Sequence, residues 1–354
     1  MIKRIELKNI RPFSFLNLNI QNEKVIFIGP NGIGKTTILE AILLSTITKS
    51  PKTNYVNEII KNENDYGMIK IYDDSNELKI VLSNNGKSLF YNQKEFSKIS
   101  DYLGIKKVVY FIPSEIEIIN GSPNVRRNFL NLNISQINKI YLKNLNQYNN
   151  LLKERNLLLK DEQPNLNYLR VLNDQMVELN KSITKERIKL IEEINNKINK
   201  IHQYLSKNET IKIIYKSSFK TDNYLNELEE SLIYDLKTKN TNLGIHRDDF
   251  IIYLNNEEAS KYASVGQIKS IILSIKITLC LIYKDYFNEY PLFLLDDVFG
   301  ELDDKRINNL LKVLNRLNQV FITSVDINNV DQEKIKNFQI IKLGAWLTWM
   351  KKKC

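Results

Sequence analysis

Gly29-Pro30-Asn31-Gly32-Ile33-Gly34-Lys35-Thr36 is the stretch of this chain that decides its fold. It satisfies G-x-x-x-x-G-K-[ST] at every position and has the neighbours that give the pattern meaning. Lys24-Val25-Ile26-Phe27-Ile28 before it is apolar and β-branched and predicts a buried strand. Thr37-Ile38-Leu39-Glu40-Ala41-Ile42-Leu43-Leu44 after it predicts a helix. Glycines let the backbone turn tightly, so that consecutive N–H groups and a helix N-terminus face phosphate oxygens. The candidate nucleotide-binding residues are Gly29, Pro30, Asn31, Gly32, Ile33, Gly34, Lys35, Thr36 and Thr37. Lys35 is placed to neutralise the β- and γ-phosphates, and the Thr36 hydroxyl to ligate Mg²⁺. With average glycine usage the bare pattern arises by accident in a chain of this length roughly once in a hundred. The expected ligand is a nucleoside triphosphate.

A second element lies far along the chain. Pro291-Leu292-Phe293-Leu294-Leu295-Asp296-Asp297 is an apolar run ending in two carboxylates. It predicts a buried parallel strand, whose C-terminal end is where ligands sit in such sheets. Asp296 is suited to hold Mg²⁺ and Asp297 to polarise the water that attacks the γ-phosphate, which makes Lys35 and Asp297 the candidate catalytic pair. An Asp-Asp pair also caps the loop after many buried strands, but together with the phosphate loop it points to an ATPase. Between the two lies Ala263-Ser264-Val265-Gly266-Gln267-Ile268-Lys269-Ser270, opening a helical run to Ile282. Such a start offers a second anion site, although a plain Ser N-cap reads the same.

The 51 basic and 41 acidic residues among 354 leave a net charge of +10. That balance favours a polyanionic partner such as nucleic acid, with part of the lysine excess reflecting codon usage in an AT-rich genome. Two cysteines, Cys280 and Cys354, allow neither a disulfide framework nor a Cys-x-x-Cys metal site. The charged N-terminus is not a signal peptide, and the longest apolar run, Ile271 to Ile282, is interrupted by Lys276. A soluble, cytoplasmic protein with no membrane segment is expected.

Short strand candidates separated by turn residues fill the first third of the chain, ending with Lys107–Ile112 before Pro113. From about Ser135 to Lys160, and again from Leu169 to Leu205 with a slip near Arg187, apolar residues fall at helical spacing around the polar turn Asp161–Asn165. An antiparallel helical hairpin is predicted, with a second helix about 55 Å long. The expected division is an α/β head over residues 1–112, a helical insertion over 113–242, the rest of the head over 243–344 and a tail over 345–354.

The order of these elements resembles the ATPase heads of the ABC-type SMC group and, within it, the RecF family of bacterial recombination mediators. The resemblance spans nearly all of Ile2 to Ser324. It rests on Asn31 to Thr36 with Leu39-Glu40-Ala41, on Phe111-x-Pro113, and on Gly121-Ser122-Pro123-x-x-Arg126-Arg127-x-Phe129-Leu130. Glu154-Arg155-Asn156, Gly244-x-His246-Arg247-Asp248-Asp249, Ser264-x-Gly266-Gln267 and Leu294 to Asp303 complete it. The Arg-Arg-x-Phe-Leu and His-Arg-Asp-Asp elements are not general ATPase features, and the insertion is short for an SMC arm. Departures include Ile33 for a usual Gln, Thr37 for Asn, Lys52 for an Arg and Gly300 for a Ser. Lys52 cannot reproduce a bidentate guanidinium contact.

The resemblance implies an ABC-type head with an inserted helical hairpin lobe, binding ATP and Mg²⁺. Ser264, Gly266 and Gln267 of one copy would complete the site of another, with Glu301, Leu302 and Asp303 lining the seam of an ATP-dependent homodimer. It further implies DNA binding at single-strand/double-strand junctions, slow DNA-stimulated hydrolysis, and work with RecR and RecO in loading RecA. A nucleotide-gated DNA-binding scaffold with vestigial hydrolysis, and another SMC-like repair ATPase, stay open as alternatives. The residues themselves allow simpler roles elsewhere: a structural salt-bridge role or a nucleotide or DNA contact for His246 to Asp249, a phosphate grip or acid pairing for Arg126 and Arg127, an intrahelical pair for Arg155, and a core position for Cys280. The tail Gly344 to Cys354, with both tryptophans, matches nothing else in the chain.

Overall fold

In the computed structural model, which describes residues 1–53, 55–220, 223–300 and 302–344, five parallel strands form the floor of the phosphate loop. Their order is Gln339–Lys342, Lys24–Ile28, Val320–Ser324, Leu292–Leu295 and Val108–Phe111. The central strands are continuous apolar runs because both faces are covered: Leu292–Leu295 and Val320–Ser324 are buried at every residue. A second, antiparallel sheet runs in the order Phe13–Asn19, Ile2–Ile10, Tyr66–Asp73, Glu77–Ser83, Gly86–Tyr91 and Lys94–Phe96. Only one face of it is buried, so its strands alternate; Leu78, Ile80 and Leu82 point inward from Glu77–Ser83.

The helix Lys35–Ile47 lies between these sheets and packs on strands of both. Every residue of it but Thr36 is buried, which is why its sequence is apolar all round rather than amphipathic. Its buried Ser45 and Thr46 hydroxyls donate back to the Ala41 and Ile42 carbonyls at 2.9 and 3.0 Å. Among the described residues one helix, Val265–Phe287, is long and apolar enough to cross a membrane, but most of it is buried in the fold. Lys276, in its middle, is buried against Glu115 with its ammonium 4.8 Å from the Tyr110 ring. Cys280 is a core residue, and burial pushes its thiol pKa up.

The first compact unit comprises Met1–Glu115, Tyr204–Lys207 and residues 272–344; the second comprises Ile116–Gln203 and Asn208–Ile271. The chain thus rejoins the head at Ile272 rather than at 243. Strand Asp249–Leu254 joins neither sheet of the first unit; it pairs with Ile211–Lys216 and Glu257–Glu258 in a sheet of its own. The tail 345–354 lies outside the described residues.

In the second unit, helices Lys139–Leu158 and Leu166–Leu205 form the antiparallel hairpin. Asn144 donates to Ser182 at 3.0 Å, and Arg155 Nε donates to Asn173 Oδ1 at 2.8 Å between them. The helical run expected from Ser135 is broken at Asn138, whose side chain accepts from the N–H groups of Ile140 and Tyr141. A separate helix, Pro123–Ile137, precedes it. The slip near Arg187 is not a break in the long helix. Arg187 is itself buried in the stripe, donating to the Ile245 carbonyl at 2.7 Å and to Asn131 Oδ1 at 3.0 Å.

Candidate nucleotide site

Strand Lys24–Ile28 delivers the phosphate loop, and Gly34 turns it into the helix. Gly34 has φ +106°, and a Cβ there would stand 2.4 Å from the Phe13 ring, so conformation and space both require glycine. Lys35 Nζ donates to the carbonyls of Gly29 at 2.6 Å and Pro30 at 3.0 Å. Burial holds its pKa below the ordinary lysine value, opposed by the nearby carboxylates of Asp297 and Asp296.

Asp296 ends the neighbouring part of the sheet. Its Oδ1 accepts from the Thr36 hydroxyl at 2.9 Å and from the Thr323 hydroxyl at 2.6 Å. Thr323 Oγ1 in turn accepts the Asp297 N–H at 2.9 Å. Asp296 is buried and Asp297 exposed, and a left-handed φ of +49° at Asp297 turns the chain out of the strand. Successive residues of a regular strand point to opposite faces; the turn lets both carboxylates line one cavity of about 430 Å³ with Lys35 and Thr36. Asn31, Gly32, Gly34 and Thr37 also line it, while Gly29 and Pro30 serve through the Lys35 contacts and Ile33 stands beside Gly29. A threonine hydroxyl and a carboxylate are hard oxygen donors. They fit Mg²⁺, which is usually held by one or two protein groups together with substrate phosphates.

Motif reading did not assign Arg11 or Thr323 to the cavity they line, and Lys52, which stands where the family pattern has an arginine, lines it too. Arg11 forms an ion pair with Glu40, which also accepts from Ser50 and is 2% exposed. An acid within a helix otherwise apolar on every side was the available signal, since a buried carboxylate needs partners.

Ser264, Gly266 and Gln267 open helix Val265–Phe287 and belong to the second unit. Gln267 Oε1 accepts the Ser264 N–H at 2.9 Å, and Ser264 Oγ accepts the Gln267 N–H at 3.3 Å, a reciprocal capping box. Leu302 is buried, Asp303 caps the helix Asp304–Leu314 by accepting the Arg306 N–H at 2.8 Å, and Glu301 lies outside the described residues.

A family model described as an AAA domain matches residues 4–239. The DNA replication and repair protein RecF of Acholeplasma laidlawii is 37% identical over 339 residues, 95% of this chain and 97% of that protein. The chain belongs to the RecF family. A solved structure described as the recombination mediator RecF-ATP in the RecFOR pathway superposes with a TM-score of 0.85, at 30% identity and covering 93% of each chain. An SMC head bound to the C-terminal winged-helix domain of ScpA matches in fold alone, with a TM-score of 0.56 at 15% identity over 96% of this chain and 93% of that one. The fold is thus the ATPase head of RecF and SMC proteins with an inserted helical lobe.

The Arg126-Arg127 and His246 to Asp249 elements meet in the second unit. Arg126 grips Asp249 through two bonds of 2.6 and 2.9 Å, and Arg127 donates to the Asp248 carbonyl at 2.9 Å. Asp248 accepts from Tyr215 and from the Ser218 N–H and lies 3.6 Å from Arg187. His246 Nε2 lies 2.9 Å from the Thr241 carbonyl, which can only accept, so that nitrogen carries the proton and Nδ1 accepts from Tyr148 at 2.7 Å. Burial lowers the His246 pKa to about 4. Arg155 is not paired along its own helix: it reaches Asp235 at 2.8 Å and Thr241 at 2.7 Å, all of them buried. These buried and half-buried pairs hold the lobe together.

Proposed function

We propose that this chain is an ATP-driven DNA-binding protein of recombinational repair and replication restart. The observation that carries the proposal is the meeting of Thr36 and Asp296, 260 residues apart, across the cavity lined by Lys35. In this reading the triphosphate lies along Gly29 to Thr37, and Lys35 exchanges the Gly29 and Pro30 carbonyls for the β- and γ-phosphates. Thr36 and Asp296 would hold Mg²⁺, which supplies charge neutralisation at the phosphate oxygens. Asp297 orients the attacking water and accepts its proton. Ser264, Gly266 and Gln267 of a second copy close over the phosphates, with Glu301, Leu302 and Asp303 at the seam. The resulting homodimer holds DNA at single-strand/double-strand junctions and acts in the cytoplasm with RecR and RecO in loading RecA, slow DNA-stimulated hydrolysis resetting it. The names of the relatives, a replication and repair protein and a recombination mediator, support the pathway, and the net charge of +10 suits a polyanion.

The test is the solution mass with and without ATP·Mg²⁺, beside a Lys35→Met variant. A mass that doubles with ATP only when Lys35 is present is the expected result. Bound ATP with no change in mass would refute completion of the site by a second copy.

A further inference from the structure

One carboxylate ties the Ser264–Gln267 turn to the root of the helical hairpin. Gln267 Nε2 donates to Glu209 Oε1 at 2.9 Å. The other oxygen, Glu209 Oε2, lies 3.0 Å from Nε2 of His202, a fully buried residue in the last turn of helix Leu166–Leu205. Glu209 follows Asn208, whose φ is +65°, in the turn leading to strand Ile211–Lys216. Its two oxygens therefore hold two different elements, the hairpin helix and the helix that begins at Val265. All of these residues lie in the second unit.

The chemistry of the contact is directional. A carboxylate can only accept, so Glu209 dictates that the NH₂ end of the Gln267 amide faces it. That leaves Gln267 Oε1 for the Ser264 N–H. Ser264 Oγ already accepts from the Gln267 N–H, so its own proton is available to donate, and the side chain is exposed. A hydroxyl held in that way is poised to donate to an anion.

We propose that Glu209 is a positioning residue: it sets the Gln267 amide so that Ser264 presents its hydroxyl to the triphosphate of a second copy. The inference rests on the reading of Ser264, Gly266 and Gln267 as the element that closes an ATP-bound dimer.

The experiment measures association by sedimentation with ATP·Mg²⁺ for wild type, Glu209→Ala, Glu209→Gln and Gln267→Ala. ATP affinity of the monomer and thermal unfolding are measured on the same samples. Glu209→Ala is expected to weaken ATP-dependent association by about tenfold or more, as expected for loss of a hydrogen bond to a charged group. Monomer ATP affinity should stay at the wild-type value while melting falls by a few degrees as buried His202 loses its contact with Glu209, and Glu209→Gln, which keeps an acceptor oxygen, should fall between. Wild-type association by Glu209→Ala beside an impaired Gln267→Ala would overturn the role of Glu209 and leave the closing element intact. Wild-type association by both would refute the closing element itself. If Glu209→Ala does not fold, Glu209→Gln decides alone: weakened association with unchanged monomer ATP affinity supports the proposal, and wild-type association overturns it. A loss of stability and ATP affinity in both Glu209 variants would show a merely structural role and overturn it too.

Discussion

Asp297→Asn removes one negative charge from the mouth of the cavity while leaving the backbone where it is. The residue sits at φ +49°, a conformation that asparagine adopts more readily than most side chains, and its N–H remains bonded to Thr323 at 2.9 Å. The side chain is exposed, so the stability change should stay within about 0.5 kcal/mol. In the proposed mechanism what is lost is the acceptor for the proton of the attacking water. A general base contributes about 10²–10⁴ in rate, or roughly 3–5 kcal/mol of barrier at about 1.36 kcal/mol per factor of ten. Asp297 is also one of the two acids that oppose the burial of Lys35, so its loss moves the Lys35 pKa further down. That smaller effect would show as an earlier alkaline loss of nucleotide affinity. The assay is phosphate release at saturating ATP·Mg²⁺ with DNA present, run beside solution mass. Turnover should fall by at least about a hundredfold with ATP-driven association kept. Turnover within about tenfold of wild type, association intact, would refute the assignment of Asp297 as base and favour a nucleotide-gated scaffold. Asp297→Ala separates backbone from charge, since alanine adds about 1–2 kcal/mol of left-handed strain that asparagine avoids.

Thr323→Val keeps the shape of the side chain but takes a donor from Asp296 and an acceptor from the Asp297 N–H. It should cost about 1–3 kcal/mol in chemical unfolding and weaken ATP binding; unchanged values would mean that the hydroxyl does not hold the acidic turn. Arg155→Met leaves Asp235 buried without its guanidinium, at about 3–5 kcal/mol, with the lower end expected because Asn242 still donates to Asp235 twice. Arg155→Met/Asp235→Asn should recover a large part of that loss in unfolding measured by far-UV circular dichroism, and strictly additive effects would refute a coupled pair. His246 has its pKa lowered to about 4 by burial, with Arg247 and Arg127 adding to the shift and the Thr241 bond and Asp235 opposing it. The folded state therefore favours the neutral ring, so this stability is complete above the unfolded pKa of about 6.5 and is lost as pH falls toward 4. Between about pH 7 and pH 5 the loss should be about 2 kcal/mol, and His246→Gln, which does not titrate, should flatten that part of the melting-temperature profile.

The ATPase head was legible because its motifs are local. Gly34 must be glycine for reasons visible within a few residues of it, and an apolar run ending in Asp296-Asp297 announces a strand end in any context. The hairpin and the core position of Cys280 followed from patterns of the same kind, and the SMC-like fold from the family resemblance that the motifs carry. Tertiary structure alone decided which distant groups share a charge or a hydrogen bond. Arg187 looked like an interruption of a helical stripe until its partners at Asn131 and Ile245 placed it inside that stripe. Arg155 was expected to pair one turn along its helix, yet its acid is Asp235, 80 residues away. Strand Asp249–Leu254 pairs with Ile211–Lys216 instead of joining the head, because register with a partner strand, not β-propensity, assigns a strand to a sheet. A phosphate loop works through its own backbone and so can be read from eight consecutive residues. A buried ion needs a partner wherever folding brings one, and only the folded chain says where that is.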